Sequence, residues 1–130
     1  MENHEIFQKM YAEAKALLYS RFSGEGGVGV VRIEDGRLLT SVWNETLNSA
    51  VDLCAETGAI LEAHKLNKKI THSLCLVRDE NGEEKILAPC GVCQERLFYF
   101  GGDVLCALTG SIDNLQFKSL NELQPYFWKK

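Results

Sequence analysis

The sequence has few of the features that mark unusual classes of protein. It contains two prolines and eleven glycines in 130 residues, which excludes a collagen-like repeat and disfavours a disordered chain. No apolar run approaches the roughly 18 residues that a membrane-spanning helix needs, so we expect no contact with a membrane. Internal repeats and low-complexity segments are also missing. These absences indicate a folded globular protein.

The chain has no excess of positive charge. Its 14 basic residues are outnumbered by 18 acidic residues, and the net charge is −4. The basic residues are spread along the chain instead of forming clusters. Because nucleic-acid-binding proteins usually concentrate positive charge on one surface, we expect no nucleic-acid partner.

A length of 130 residues predicts one domain, spanning 1–130, with one hydrophobic core. The first ten residues include His4, Glu5 and Lys9 and show no apolar run typical of a secretory signal. The cysteines number five, and an odd count disfavours a disulfide framework. We therefore interpret them as thiols in a reducing compartment and expect a cytoplasmic protein.

The hydrophobic pattern predicts an α/β fold in which helices flank one mixed sheet of about five strands. Asp35-Gly36 separates two β-rich runs and indicates a hairpin. Helices then alternate with strands, which favours parallel pairing of the later strands. The predicted order is αββαβαβ with short C-terminal elements: helix 3–20, strands 28–33 and 38–43, helix 53–66, strand 71–78, helix 91–100, strand 104–108, and a short strand and helix within 117–124.

Three of the cysteines occur in two short segments suited to metal chemistry. Cys90 and Cys93 lie three residues apart at the start of a predicted helix, close enough to bind a single ion. Cys54 also lies at a predicted helix start, with Glu56 beside it. Structural zinc sites use four protein ligands, whereas catalytic sites use three and leave the fourth position to water. The other two cysteines, Cys75 and Cys106, lie in apolar strands and are interpreted as small buried hydrophobic residues.

A ligand cysteine, a glutamate two residues later and a downstream Pro-Cys-x-x-Cys form the signature of zinc-dependent deaminases. Cys54, Glu56 and the segment from Pro89 to Cys93 match this signature at every position. The chain resembles the cytidine deaminase family from about Val28 to Leu97, and its first hairpin and order of elements are similar too.

This resemblance implies that Cys54, Cys90 and Cys93 bind Zn²⁺, which activates a water molecule. Glu56 is then the catalytic residue that carries the proton of this water to N3 of the pyrimidine and on to the departing amine, while hydroxide attacks C4. The products are a uracil nucleoside and ammonia. Ala55, between the ligand and the glutamate, is expected to contact the substrate.

The sequence departs from the family pattern upstream of the first ligand. Nucleoside deaminases of this family commonly carry an Asn eleven residues and a Glu nine residues before that ligand, to bind the ribose hydroxyls. Here the Glu is matched by Glu45, but Trp43 replaces the Asn. We expect both to contact substrate, with a pocket wall altered at Trp43. Members of this family also often carry an Arg after the catalytic glutamate; here that residue is Thr57, and Arg96 is a candidate for its role.

These departures and the aromatic C-terminus resemble the blasticidin S deaminase branch of the family. Phe22 and Trp128 are further candidates for substrate contact. Phe22, like Trp43, is a candidate for stacking on the base. The aromatic tail that contains Trp128 is expected either to be buried against the first helix or to close over a substrate, in its own or a neighbouring subunit. The leading hypothesis is deamination of free cytidine or deoxycytidine. The alternatives are a cytosine nucleoside analogue such as blasticidin S as substrate, and a non-catalytic zinc-stabilised binding domain. The family resemblance further implies a homo-oligomer, usually a tetramer.

Overall fold

Six strands of the described chain form one mixed sheet, with helices on both of its faces. The structure, a computed structural model, describes residues 1–129. In chain order the elements are α1 (Asn3–Arg21), β1 (Gly26–Ile33), β2 (Leu38–Val42), a short 3-10 helix (Ser49–Val51), α2 (Thr57–Leu66), β3 (Ile70–Arg78), β4 (Glu84–Leu87), α3 (Gly91–Phe98), β5 (Leu105–Ala107), a second 3-10 helix (Ile112–Asn114), β6 (Phe117–Ser119) and α4 (Leu120–Leu123). The predicted mixed α/β fold is therefore confirmed, with six strands where about five were expected.

The first two strands form the predicted hairpin. β1 and β2 pair antiparallel, with Val28 opposite Val42, and the turn between them contains Gly36. Gly36 has a φ of 94°, a conformation that glycine adopts without the steric cost of a side chain. The Asp-Gly signal in the sequence thus marks the hairpin correctly.

The long strand β3 is the centre of the sheet. It pairs antiparallel with β1 and β4 and parallel with β5, while β6 extends the sheet beyond β5. The crossover that contains α3 therefore joins parallel strands, as the alternation of helices and strands predicted. At the C-terminal half of β3, β4 occupies the position beside it.

Strand β4 was not predicted, because its sequence resembles a loop. It follows a turn at Asp79 to Gly82 and begins with the charged residues Glu84 and Lys85. Charged residues are common on strands that have a neighbour on only one side, since they discourage pairing with another chain. The polar composition of β4 therefore suits its position beside β3 and makes the strand difficult to recognise in the sequence.

Two helix boundaries also differ from the prediction. α2 begins at Thr57 instead of residue 53, because Leu53 pairs with Asn44 in an isolated β-bridge and the segment after it forms a turn. α3 ends at Phe98, two residues before the predicted end. The shorter α2 places Cys54 and Glu56 ahead of the regular helix.

Each face of the sheet has its own hydrophobic core. α1 covers one face with apolar residues at helical spacing, among them Phe7, Met10 and Leu18, which are fully buried. α2, α3 and α4 cover the other face, where Ala59 and Leu97 pack against the sheet. Among residues 1–129, none of the helices combines the length and the apolar character required to cross a membrane.

Candidate active site

Three cysteines come together where α2 and α3 begin. Cys54 precedes α2 by three residues, Cys90 is the N-cap of α3, and Cys93 lies in the first turn of α3. Their sulfur atoms all lie within 4.8 Å of one another, and the Sγ atoms of Cys54 and Cys90 are 3.5 Å apart. The fold thus brings the two motifs of the sequence to one point.

The spacing and chemistry of this cysteine cluster fit a zinc ion. With a Zn–S bond of about 2.3 Å and tetrahedral angles, sulfurs on one ion are roughly 3.8 Å apart. The separation of the Cys54 and Cys90 sulfurs, 3.5 Å, is close to that value, and no pair in the cluster is more than 4.8 Å apart. Thiolates are soft ligands that favour zinc, and three protein ligands are the number typical of a catalytic site. The residues therefore fit the ion that the sequence predicts.

The thiols of the cysteine cluster differ in acidity. Burial raises the pKa of Cys54 and of Cys93 above the ordinary value for a thiol. Burial also acts on Cys90, but interaction with the backbone N–H of Cys93 and with the Cys54 thiol outweighs it and lowers the pKa of Cys90. Cys90 is also the most exposed of the three. We infer that Cys90 is the first of them to become a thiolate.

Glu56 lies beside the cysteine cluster as the N-cap residue of α2. It is 4% exposed, and this burial raises the pKa of its carboxyl group. A hydrogen bond from the backbone N–H of Glu56 itself opposes that effect, and so does the guanidinium of Arg96 on α3. Arg96 also donates a hydrogen bond, 3.0 Å long, to the hydroxyl of Thr57. Because a raised pKa brings a carboxyl group closer to neutral pH, the shift is in the direction that suits a general acid–base residue.

A cavity of about 380 Å³ opens over the cysteine cluster and Glu56. Most of its surface is apolar, apart from the charged residues at its floor and mouth. Its wall consists of Glu25, Gly26, Gly27, Trp43, Cys54, Ala55, Glu56, Cys75, Val77, Arg78, Asp79, Leu87, Ala88 and Cys90. An apolar pocket with a few convergent polar groups is the usual form of a small-molecule site.

The whole chain is similar to a solved cytidine deaminase structure. The crystal structure of the cytidine deaminase from Bacillus anthracis superposes on 93% of this chain and 88% of that chain, with a TM-score of 0.87 and 52% sequence identity. The chain belongs to the cytidine deaminase family. The resemblance seen in the sequence is therefore confirmed.

More distant cytidine deaminases share the fold. The crystal structure of the enzyme from Mycobacterium leprae has a TM-score of 0.72 and 22% identity, and covers 92% of this chain and 97% of that chain. A cytidine deaminase of Mycobacterium tuberculosis is 32% identical over 88 residues, which make up 67% of this chain and 61% of that protein. The match thus spans less than two thirds of that relative's length. No protein-family model matches the chain.

Two of the expected substrate contacts of a cytidine deaminase lie at the cavity. Trp43 forms part of the wall at the end of β2, and Ala55 forms part of it beside Glu56. Glu45, the expected ribose ligand, is exposed and is not among the described residues that line the cavity. Within this chain, the tryptophan that replaces the family's Asn therefore lies in the cavity wall, whereas the matching Glu lies outside it.

The other two aromatic candidates pack elsewhere in this protomer. Phe22 follows α1, and the guanidinium of Arg21 lies over its ring at 4.7 Å from the centroid. Trp128 is exposed and donates its indole N–H to the carboxylate of Glu95 on α3 at 3.0 Å. Beside it, Phe127 stacks on Phe98. The C-terminal segment is thus held on α3, and neither Phe22 nor Trp128 is among the residues that form the cavity wall.

The cavity includes residues that were not predicted as site residues. Cys75 is buried as expected, but it lies in the wall close to Glu56 and to Cys54 and Cys90 of the cysteine cluster. Register explains this position, because Cys75 pairs with Gly29, and Gly29 lies directly under the backbone of Glu56. Alternation along β3 from the buried Leu74 could have indicated that Cys75 faces α2. Cys106 is also buried, and burial raises its pKa to about 12.

Three further charged residues line the cavity. Glu25 and Asp79 lie there together with Arg78, which is 8% exposed. Arg78 donates hydrogen bonds of 2.6 Å to the backbone carbonyls of Phe22 and Gly24. The guanidinium therefore ties the segment after α1 to the end of β3. The sequence gives little sign of this, since an arginine at a strand end is usually exposed.

Proposed function

We propose that this chain catalyses the hydrolytic deamination of the cytosine 4-amino group of a free nucleoside, cytidine or deoxycytidine. The observation that carries the proposal is the position of Glu56, which is buried beside three cysteine sulfurs at the floor of a cavity of small-molecule size. A purely structural zinc site has no use for a buried carboxyl group beside an open ligand position. This feature disfavours the non-catalytic binding domain.

In the proposed mechanism, Cys54, Cys90 and Cys93 hold one zinc ion at the cavity floor. When bound, the ion supplies a water nucleophile that is active near neutral pH. The carboxylate of Glu56 accepts a proton from the water that adds to C4 and donates it to N3 of the cytosine ring. It then takes the proton of the new C4 hydroxyl and donates it to the amine, so that the C4–N bond breaks and ammonia leaves. The apolar wall around Trp43 and Ala55 excludes bulk water from the ring.

Arg96 is proposed to balance the charge of the metal centre. Three thiolates and one Zn²⁺ leave one net negative charge, and Glu56 adds another when ionised. The guanidinium of Arg96 lies close enough to affect the pKa of Glu56, and its hydrogen bond to Thr57 fixes it at the start of α2. It therefore takes the role that an arginine at position 57 has in related enzymes.

A second candidate substrate is a cytosine nucleoside analogue such as blasticidin S. The position of Trp43 favours it, since this ring lies in the cavity wall where the nucleoside enzymes carry the Asn that binds ribose. Glu45 lies outside the cavity in the same protomer. A sugar that is not recognised through its hydroxyls fits this wall better than ribose does.

We also propose that 1–130 forms one domain that assembles as a homo-oligomer, a tetramer by family resemblance, in the cytoplasm. Exposed apolar residues near the cysteine cluster support the assembly: Leu47, Val51 and Leu53 before Cys54, and Val92 after Cys90. An adjacent copy that covers them would bring further side chains to the cavity mouth. Sedimentation analysis measures the assembly directly, and a monomer at micromolar concentration would contradict it.

The decisive experiment assays the purified protein, with its metal content measured, on cytidine, deoxycytidine, 5-methylcytosine nucleosides and blasticidin S in parallel. Ammonia release from cytidine or deoxycytidine supports the leading proposal. Turnover of blasticidin S alone supports the analogue. Protein that carries one zinc per chain and releases ammonia from none of them would contradict both proposals.

A further inference from the structure

The first turn of α2 requires a hydrogen-bond acceptor that its own N-cap residue does not supply. The first backbone N–H groups of a helix have no partner within the helix, and the side chain at the N-cap usually accepts from the second or third of them. In α2 the N-cap is Glu56, whose side chain makes no capping hydrogen bond within the described chain. A Glu56 carboxylate that did cap the helix would be withdrawn from the cavity.

Ser41, on strand β2, supplies the missing acceptor. The Ala59 backbone N–H, the third in the helix, donates to the Ser41 hydroxyl at 2.9 Å. The same hydroxyl donates to the backbone carbonyl of Ala55 at 2.5 Å. One side chain from a neighbouring strand therefore binds both the turn that carries Glu56 and the helix that follows it.

Close packing holds this turn in place from two sides. A Cβ atom added at Gly58 would lie 2.7 Å from the Cβ of Ser41, so a side chain at position 58 would displace Ser41. From β1, a Cβ atom at Gly29 would lie 2.6 Å from the Cα of Glu56. The backbone around Glu56 is thus confined between Ser41 on β2 and Gly29 on β1.

We propose that Ser41 is a positioning residue for the reaction: it caps α2 in place of Glu56 and fixes the Ala55 peptide, so that the Glu56 carboxylate stays directed into the cavity. This inference rests on the proposed deaminase activity. Without the hydroxyl, the Ala59 N–H and the Ala55 carbonyl both lose their hydrogen-bond partner, so the turn that carries Glu56 is held less firmly against β2. The carboxylate then leaves the position from which it exchanges protons with the substrate.

The test compares Ser41→Ala with the wild type and with two reference variants. Ser41→Thr keeps a hydroxyl at the same position. Ser73→Ala removes a buried hydroxyl from β3 that has no hydrogen-bond partner among the described residues, and so controls for the loss of a buried serine. The quantities measured are kcat, KM, zinc per chain and the hydrogen-exchange rate of the Ala59 amide.

We expect Ser41→Ala to lower kcat by roughly 10- to 100-fold with a change in KM below about threefold, since small misplacements of a catalytic group have effects of this size. The zinc content stays at one per chain and the Ala59 amide exchanges faster. Ser41→Thr restores most of kcat, and Ser73→Ala behaves like the wild type. A wild-type kcat in Ser41→Ala would overturn the positioning role even if the protein became less stable.

Gly58→Ala is a second variant that does not depend on Ser41→Ala folding well. Alanine favours a helix more than glycine does, so stability should not fall through helix propensity. The added methyl group displaces Ser41, so kcat is expected to fall as in Ser41→Ala. If Gly58→Ala folds and keeps the wild-type kcat, the proposal is wrong.

Failure of the proposed activity is distinguishable from failure of this inference. If the wild type deaminates no cytosine nucleoside, the activity proposal fails. Crystal structures of the wild type and Ser41→Ala then decide the inference by themselves. A Glu56 carboxylate that is displaced from the cavity in the variant supports it, and one that keeps its position contradicts it.

Discussion

The two helices that meet at the cysteine cluster begin in different ways. The N-cap residue of α3 is Cys90, which is also a proposed zinc ligand. The N-cap residue of α2 is Glu56, and the proposed ligand Cys54 lies two residues before it, outside the helix. Neither N-cap side chain makes a capping hydrogen bond within the described chain. The backbone N–H groups of Cys93 and Val92 lower the pKa of the Cys90 thiol, whereas the Ala59 N–H of α2 donates to Ser41 on another strand.

This difference corresponds to two different tasks: the start of α3 is suited to binding a metal, and the start of α2 is suited to proton transfer. A ligand can be the cap of its own helix, because a thiolate that receives N–H groups is stabilised and still binds the ion. A proton-transferring carboxylate has to remain free, and a capping bond would both lower its pKa and turn it away. The start of α3 is therefore suited to holding zinc, and the start of α2 to presenting Glu56.

The largest effect is expected from replacing Cys90, the proposed zinc ligand at the N-cap position of α3. Cys90→Ala should reduce zinc from one per chain to a trace and abolish activity, because two remaining thiolates cannot hold the ion tightly. The variant should also unfold at lower temperature, since metal binding is coupled to folding. Elemental analysis and thermal unfolding measure both effects. Cys106→Ala, which removes a buried cysteine outside the cluster, should retain zinc and activity.

Glu56→Gln should distinguish most clearly the catalytic role proposed for the start of α2 from the metal-binding role proposed for the start of α3. We expect kcat to fall by at least about 10²- to 10⁴-fold, the usual contribution of a general acid–base residue. Zinc should remain at one per chain, because the three sulfurs are untouched. Glu62→Gln, on the exposed side of the same helix, is the matched control and should leave kcat unchanged. Activity retained in Glu56→Gln would remove the distinction between the two starts.

The sequence motif identified four residues of the candidate site, because the motif is local and its chemistry is specific. They are Cys54, Glu56, Cys90 and Cys93. The spacing of Cys90 and Cys93 predicts that they bind one ion, and the signature connects them to Cys54 and Glu56. Ser41 could not be found in this way. Its role depends on the position of β2 beside α2, and the hydroxyl reaches a peptide 14 residues away.

The sequence analysis also missed features that depend on how the strands pair. Cys75 was correctly predicted to be buried, but burial does not say which face of β3 it occupies, and only pairing with Gly29 places it at the cavity. Strand β4 was missed since its charged residues are typical of a loop as well as of an exposed edge. Alternation of helices and strands sufficed for the fold class, while these details depend on tertiary contacts.

Replacement of Arg96 should have a smaller effect that reaches both helix starts. Arg96 extends from α3 to Thr57 on α2, and we expect Arg96→Met to weaken zinc binding by roughly 10- to 100-fold, as for other residues that support metal ligands. Competition with a chelator measures the affinity. Arg96→Lys keeps the charge and should retain most of it. A lysine variant as weak as the methionine variant would assign the effect to the hydrogen bond with Thr57 instead of to charge.

The smallest expected effect is a difference in reactivity between the three cysteines of the cluster, measured in the metal-free protein. Only the thiolate form of a cysteine is alkylated readily, so the pKa order of the cysteines sets the order of reaction. Because the pKa of Cys90 is lowered while burial raises that of Cys54 and Cys93, Cys90 should react with iodoacetamide first and at lower pH. Mass spectrometry of digests measures the reaction at each cysteine between pH 6 and pH 9, a range chosen around the pKa of a free thiol, which is roughly 8.5.

Equal reaction rates at Cys90 and Cys54 would show that the start of α3 does not make the thiol of its N-cap residue more acidic. Faster reaction at Cys54 would reverse the assignment, because the residue outside the helix would then be the more acidic ligand.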